Sequence, residues 1–131
     1  EAKGIVSVFE SGATPYAWKT PTFTRPASSN LHVYELLIRD FVADRRYKTV
    51  ADSLGYLKKL GINALELMPV AEFSGNDSWG YNPIFYTAPD KAYGTKNDLK
   101  YLIDKCHENG IAVIMDIVLN QADYENPYVK M

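Results

Sequence analysis

The sequence lacks the several cysteines of a disulfide framework or thiolate metal cluster, and it lacks the long apolar runs of membrane spans. It contains one cysteine, Cys106, among 131 residues, which excludes an internal disulfide and a metal site built from several thiolates. No apolar run reaches the length of a transmembrane helix. Fourteen basic residues against sixteen acidic ones give a net charge of −2. Because no stripe of lysine and arginine stands out, we expect neither nucleic acid nor a membrane as a partner.

The sequence does contain apolar strands that alternate with amphipathic segments. Residues 31–41 form the first predicted strand, residues 62–68 the second and residues 111–119 the third. The third is apolar except for Asp116, which is typical of a strand buried on both faces of a parallel sheet. We therefore predict a sheet whose two faces are covered.

A helix is predicted between each pair of strands, and both helices share one pattern. Each begins with a Thr-x-x-Asp capping box and ends at a glycine: Thr49, Asp52 and Gly61 in the first, Thr95, Asp98 and Gly110 in the second. Cys106 lies on the apolar side of the second helix, where we expect a core residue. This order of elements predicts parallel crossovers, which begin both doubly wound sheets and eight-stranded barrels. The lack of a glycine-rich loop after the first strand disfavours a dinucleotide-binding fold.

The remaining segments connect these elements. Residues 4–9 form a short predicted strand, and residues 13–30 are rich in proline, threonine and serine with aromatic residues between them. Because a lone strand cannot fold independently, we expect it to be the last strand of an accessory domain. Residues 70–94 are predicted to be one long loop, well beyond the usual length of a strand-to-helix connection.

Three acidic residues, Glu35, Glu66 and Asp116, lie in the interior of the predicted strands, away from their ends. In a closed barrel they could point inward and form one buried polar layer. Alternatively, some of them lie near strand ends in solvent. Their depth in the strands argues against a role as the acid and nucleophile of a glycosidase.

Two groups of residues have the chemistry of a site. Trp79 and Tyr81 flank Gly80 in the long loop, and their rings could form a platform for a pyranose ring or pack on the protein itself. Asp116 lies within the third strand, and Asn120 and Gln121 follow at its carboxyl end, where sites on parallel sheets lie. Their oxygens suit calcium, but calcium takes six to eight oxygen ligands, so this stretch alone cannot make a site.

Four stretches, in this order, resemble the catalytic barrel of the α-amylase family of glycoside hydrolases. They are Val-Tyr-Glu-Leu-Leu-Ile-Arg-Asp-Phe at 33–41, Gly-Ile-Asn-Ala-Leu-Glu-Leu-Met-Pro-Val at 61–70, Trp-Gly-Tyr-Asn-Pro at 79–83 with Ala-Pro at 88–89 and Tyr-Gly-Thr at 93–95, and Asp-Ile-Val-Leu-Asn at 116–120. The first has the form seen in branching-enzyme and trehalohydrolase relatives.

The resemblance implies a domain division and an α/β fold. Residues 1–12 would be the last strand of a missing β-sandwich-like accessory domain, residues 13–30 a connector, and residues 31–131 the N-terminal part of the catalytic domain. That part would be a partial TIM (β/α)8 barrel comprising its first three parallel strands and two helices. Since a full barrel takes about 250 residues, we expect a fragment of a larger enzyme.

The resemblance also implies roles for single residues. Tyr81 matches a tyrosine that stacks on the sugar ring beside the scissile bond, and Asp116 matches an aspartate that supports the site. Asn120 matches an asparagine that often binds a structural calcium ion, so calcium is implied for the parent enzyme and none is expected to bind firmly here. Gln121 stands where the family usually has histidine. Glutamine can donate and accept hydrogen bonds but cannot carry charge, which puts tight sugar binding there in question.

The function that the resemblance implies is hydrolysis of α-glucosidic bonds in starch or related α-glucans by a retaining mechanism, and transfer of the glucan by the same mechanism stays open. The family's catalytic carboxylates lie on later strands, so this chain alone is expected to be inactive. The resemblance, and no feature of the residues themselves, suggests a secreted or periplasmic location. We expect self-association of the isolated chain through open sheet edges. The alternative is a small α/β domain that binds carbohydrate, or acts as a scaffold, without catalysis.

Overall fold

The computed structural model describes residues 9–131. The strand predicted at residues 4–9 and most of segment 1–12 lie outside the described residues. Residues 13–27 contain no helix or strand, and a 3-10 turn at Ser28–Asn30 leads into the first strand. No helix within residues 9–131 is long and apolar enough to cross a membrane.

Three parallel strands form the central sheet. β1 (Val33–Leu36) and β5 (Ala112–Met115) both pair with β2 (Ala64–Leu67), which lies between them. Glu35 faces Glu66 across β1 and β2, and Glu66 faces Ile114 across β2 and β5. The predicted parallel order of the three strands is confirmed.

Within residues 9–131, five helices accompany the strands. They are α1 (Ile38–Phe41), α2 (Tyr47–Asp52), α3 (Leu54–Lys59), α4 (Lys96–Glu108) and α5 (Pro127–Lys130). The single helix predicted between the first two strands is divided at Ser53, whose hydroxyl donates to the Thr49 carbonyl at 3.2 Å. A side chain that competes for a helical carbonyl in this way locally disturbs a helix.

The segment predicted as one long loop contains a β-hairpin instead. β3 (Ala71–Phe73) and β4 (Pro83–Pro89) pair antiparallel, with irregular register. The fully buried ring of Phe73 lies in edge-to-face contact with Tyr93. The hairpin therefore joins the core, a tertiary contact that local sequence patterns do not reveal.

Both outer strands are shorter than predicted. The first predicted strand, residues 31–41, ends at Leu36, and the chain turns into α1 with Ile38 buried. The third, residues 111–119, is regular only over β5, and its side chains are not buried on both faces. Met115, Ile117 and Leu119 are 43%, 59% and 64% exposed, because β5 is an edge strand and no described element covers these residues.

One predicted capping box is confirmed and the other is wrong. Thr95 and Asp98 form a reciprocal box at the start of α4. Thr49 lies inside α2, which begins after Arg46 without a side-chain cap. The start of α2 is set by Tyr47, whose ring is fully buried and whose N–H donates to the Tyr93 carbonyl at 3.1 Å.

The core lies between the sheet and the helices. Its fully buried members include Leu65 and Leu67 from β2, Leu57 from α3, and Leu102 and Cys106 from α4. Cys106 is therefore a core residue, as predicted, and burial raises the pKa of its thiol to about 12.

Residues preceding the first strand are held against α4 by the buried carboxylate of Asp104. It accepts hydrogen bonds from the backbone N–H of Lys19 and Thr20 at 3.0 Å and from the Tyr16 hydroxyl at 3.2 Å. Burial alone would raise the pKa of Asp104, but these hydrogen bonds lower it overall. One turn further along α4, His107 stacks on Phe23 with ring centroids 4.1 Å apart.

Candidate functional site at the strand ends

Tyr81 and Asp116 meet at the carboxyl ends of β2 and β5. Asp116 directly follows β5, and its N–H donates to the Leu67 carbonyl at 3.0 Å, which extends the sheet pairing by one step. Its Oδ2 accepts a hydrogen bond of 2.5 Å from the hydroxyl of Tyr81, which lies in the hairpin loop after β2. The hairpin and the end of β5 are thus joined by a side-chain contact.

This contact sets the protonation of Tyr81. The hydrogen bond to the Asp116 carboxylate is the largest of the effects that raise the pKa of the phenol to about 12, and burial and the negative charges of Asp116, Glu35 and Glu66 act in the same direction. Tyr81 is therefore a neutral hydrogen-bond donor throughout the physiological range of pH.

The three acidic residues lie on one side of the sheet, but they do not form a buried layer within residues 9–131. Glu35 and Glu66 are register partners on neighbouring strands, and Asp116 follows Ile114 on the same face. Glu66 and Asp116 are partly buried, whereas Glu35 is exposed. The shared face agrees with the prediction. Burial was predicted for a closed barrel, which residues 9–131 do not form, and it stays a prediction.

The hairpin loop brings Tyr81 to the site through close backbone packing. Gly80 has φ +92°, and a Cβ atom there would lie 2.4 Å from the Pro69 carbonyl oxygen. Only glycine permits both this conformation and this approach. The hydroxyl of Ser78 accepts a hydrogen bond from the Gly80 N–H at 3.0 Å and donates one to the side chain of Asn82.

The remaining predicted site residues stand apart from this contact. Trp79 is 61% exposed, so its ring is not packed on the body of the protein. Asn120 and Gln121 are both exposed, and their side chains make no hydrogen bond to another residue among 9–131. The structure therefore joins Tyr81 to Asp116 but leaves Trp79, Asn120 and Gln121 exposed on the surface.

The described residues do not complete a calcium site from carboxylates alone. Among residues 9–131, no group of three or more histidine, cysteine, aspartate or glutamate residues is arranged to hold a metal ion. Asn120 would offer one side-chain oxygen of the six to eight that calcium takes. No chemical step is assigned to calcium here.

Besides Asp104, two further buried polar residues were not predicted from the sequence. Asp90 is fully buried at the base of the hairpin and accepts from the N–H groups of Phe73 and Ala92 at 3.3 and 2.8 Å. Asn126 is also fully buried, caps α5 through the Tyr128 N–H and donates to the Pro83 carbonyl. The pair Asn126-Pro127 is a recognisable helix start, whereas no local pattern marks Asp90 as buried.

Comparison with known proteins gives a consistent result. The family model described as alpha amylase, catalytic domain, matches residues 44–131. The malto-oligosyltrehalose trehalohydrolase of Saccharolobus solfataricus is 31% identical over 129 residues, which are 98% of this chain and 23% of the relative. The 1,4-alpha-glucan branching enzyme of Picrophilus torridus is 38% identical over 108 residues, which are 79% of this chain and 15% of the relative.

Solved structures share the fold. A Salmonella typhimurium protein assigned as an alpha amylase superposes with a TM-score of 0.84 at 35% identity, covering 93% of this chain and 20% of that protein. The trehalose-6-phosphate hydrolase of Bacillus licheniformis gives a TM-score of 0.68 at 28% identity, covering 76% and 19%. The three-stranded parallel sheet and its helices match part of the TIM barrel of such structures. The chain spans less than a quarter of the length of these relatives.

Proposed function

The chain belongs to the α-amylase family of glycoside hydrolases, and on that premise we propose that it forms one wall of the substrate cleft of an enzyme that acts on α-glucans. The reaction of the whole enzyme would be hydrolysis of α-glucosidic bonds with retention. The observation that carries the proposal is the hydrogen bond of 2.5 Å between Tyr81 and Asp116 at the carboxyl ends of the strands, the end of a barrel at which active sites are built.

Within this wall, Tyr81 would supply the sugar platform. Asp116 fixes the phenol by its hydroxyl, which leaves the faces of the ring to contact the apolar face of a pyranose. The exposed ring of Trp79 would add a second apolar surface in the same loop. The exposed amide of Gln121 would donate and accept hydrogen bonds with sugar hydroxyls.

The carboxylates that cleave the bond would come from elsewhere in the whole enzyme. A retaining glycosidase needs two carboxyl groups about 5–5.5 Å apart on either side of the scissile bond. Asp116 is committed to Tyr81, while Glu35 and Glu66 lie inside β1 and β2 rather than at their ends. We therefore propose that these three acids support the site and that the 131-residue chain binds α-glucan without hydrolysing it.

The test is a titration of the chain with maltoheptaose, followed by NMR, with cellohexaose as the β-linked control ligand. We expect maltoheptaose to shift the signals of Tyr81 and Trp79 with a Kd of about 1 mM, an affinity typical of a small and open contact. Tyr81→Ala, which removes the Tyr81 signals, should abolish the shift of Trp79. Tyr56→Ala, which removes an exposed tyrosine from α3, should leave both shifts unchanged.

The proposal fails if maltoheptaose produces no shifts, or if Tyr81→Ala binds it as well as the unmodified chain. Reducing-sugar release measured in the same samples tests whether the chain only binds α-glucan or also hydrolyses it. Release of new reducing ends by the chain itself would contradict the assignment of the catalytic carboxylates to another part of the enzyme.

The alternative function, a carbohydrate-binding domain with no part in catalysis, predicts the same titration. It differs in what the gene encodes. The catalytic proposal requires an Arg-x-Asp on the following barrel strand and a glutamate on the one after it, and their absence from the gene would favour the binding domain.

A further inference from the structure

We propose that Ser78 is a positioning residue, which holds the hairpin loop in the conformation that directs Tyr81 onto Asp116. The consequence for sugar binding rests on the proposed function of Tyr81, whereas the positioning itself does not. The residues that carry the inference lie on either side of Tyr81 in the chain.

The Ser78 hydroxyl bridges the two neighbours of Tyr81. It accepts from the N–H of Gly80 at 3.0 Å and donates to the side-chain oxygen of Asn82. A single hydroxyl is therefore bonded to the residue before Tyr81 and to the residue after it. Because a serine hydroxyl offers one donor and two acceptor positions, it can make both contacts at once.

The far side of this bridge is attached to the hairpin. The N–H of Ser74 donates to the Asn82 carbonyl at 3.3 Å, and the Asn82 amide lies 3.5 Å from the Ser74 carbonyl. Ser74 directly follows β3. Asn82, and through it Ser78, is thus anchored to the strands of the hairpin.

The near side of the bridge is attached to the sheet. Gly80 is buried and packs so closely against Pro69 that a Cβ atom would meet the Pro69 carbonyl oxygen, and Pro69 lies two residues after β2. With Gly80 held by Pro69 and Asn82 held by Ser74, Tyr81 can place its hydroxyl 2.5 Å from Asp116. Loss of the Ser78 hydroxyl would leave the Gly80 N–H and the Asn82 oxygen without this partner, and the loop would lose its internal connection.

Such positioning matters because a binding surface gains affinity when its geometry exists before the ligand arrives. In Ser78→Ala, we expect Tyr81 to spend part of its time away from Asp116. The phenol would then lose the carboxylate that raises its pKa, which gives a signature that a merely structural role of Ser78 would not produce.

The experiment follows the chain labelled with 13C at the tyrosine Cζ, with Tyr81→Phe to assign the signal. In the unmodified chain the Tyr81 signal should remain that of a neutral phenol to about pH 11. In Ser78→Ala its titration should move down by about one pH unit or more, towards the ordinary value. Ser78→Thr keeps a hydroxyl and should restore the original titration.

Ser74→Ala is the matched control, since among residues 9–131 the Ser74 hydroxyl makes no hydrogen bond although its backbone belongs to the same loop. It should titrate like the unmodified chain. Should Ser78→Ala not fold, Asn82→Ala removes the acceptor of the same bridge and is expected to show the same shift. An unchanged Tyr81 titration in the folded Ser78 or Asn82 variant would overturn the proposal.

Sugar binding tests the proposed function separately from the positioning role of Ser78. We expect Ser78→Ala to weaken maltoheptaose binding by about fivefold to tenfold, the effect of one lost hydrogen bond. If the titration moves but no form of the chain binds maltoheptaose, the positioning role stands and the proposed function falls. If the chain binds maltoheptaose and the titration does not move, the reverse holds.

Discussion

Among single residues, Gly80 sets how closely the Tyr81 loop can approach the sheet. We predict that Gly80→Ala destabilises the chain by about 2–4 kcal/mol, because the new Cβ would meet the Pro69 carbonyl oxygen at 2.4 Å in addition to the strain of a left-handed backbone. Gly75→Ala is the matched control, with φ +73° in the same loop and no atom within 4 Å of its Cβ. It should cost about 1 kcal/mol. Urea unfolding measures both, and equal losses would contradict the role of Pro69.

Asp90 gives the free energy of unfolding a pH dependence opposite to the usual one for a carboxyl group. Burial raises the pKa of this carboxyl to about 6, and the charge of Glu72 acts in the same direction. Because the folded state holds the proton more tightly than the unfolded state does, the free energy of unfolding should fall as the pH rises from about 4 to about 6. The fall attributable to Asp90 should be at most about 3 kcal/mol.

Asp90→Asn should remove that fall when unfolding is followed between pH 4 and pH 7. Asp98 provides the opposite case, since the Thr95 backbone N–H is the largest of the effects that lower its pKa. Its contribution is present above pH 4 and is lost as the pH falls below that value. A fall of unchanged size in Asp90→Asn would show that another group causes it.

At the scale of elements, the two Thr-x-x-Asp sequences allow a direct comparison. Thr95→Ala should destabilise the chain by about 1 kcal/mol, because it removes the cap of the 13-residue helix α4. Thr49→Ala should cost less, since Thr49 lies within α2 and bonds the exposed side chain of Asp44. Thermal or urea unfolding of the two variants tests this order. A larger loss for Thr49→Ala would contradict it.

The same pair shows where local sequence suffices to predict an element and where it does not. Thr95 was correctly predicted because the cap of α4 depends on four consecutive residues and solvent. Thr49 was not, because α2 starts where Tyr47 is buried against Tyr93, a partner 46 residues away. The hairpin escaped prediction for a related reason, since its register is irregular and its buried ring, Phe73, packs on Tyr93 rather than on a local neighbour.

The candidate site divides in the same way. Tyr81 and Asp116 were identified from motifs, but their hydrogen bond depends on how the hairpin folds over the ends of β2 and β5. Ser78 directly precedes the Trp-Gly-Tyr-Asn-Pro motif and received no role, because the bridge it makes around Tyr81 requires the left-handed turn at Gly80. The sequence therefore indicated which side chains belong to the site, but it did not predict the backbone geometry on which their contacts depend.

For the whole molecule, the open edge of β5 predicts association. Met115 lies on this edge strand and is 43% exposed, with Ile117 and Leu119 exposed beyond it. Unpaired strand edges beside apolar side chains favour pairing with a second copy. We predict that the apparent mass of the 131-residue chain in light scattering rises with concentration, and that Met115→Lys suppresses the rise.

Leu60→Lys is the matched control, because Leu60 is 51% exposed at the end of α3, away from the β5 edge. It should associate like the unmodified chain. A monomer at every concentration would contradict the prediction, as would equal suppression by both substitutions.

The bond between Tyr81 and Asp116 also has a consequence for how the chain folds. Its two partners are 35 residues apart, with all of α4 and β5 between them. Because Asp116 directly follows β5 and donates to Leu67 of β2, we expect this bond to form together with, or after, the pairing of these two strands. The NMR signal of the Tyr81 phenol should therefore follow this step of folding at a single atom.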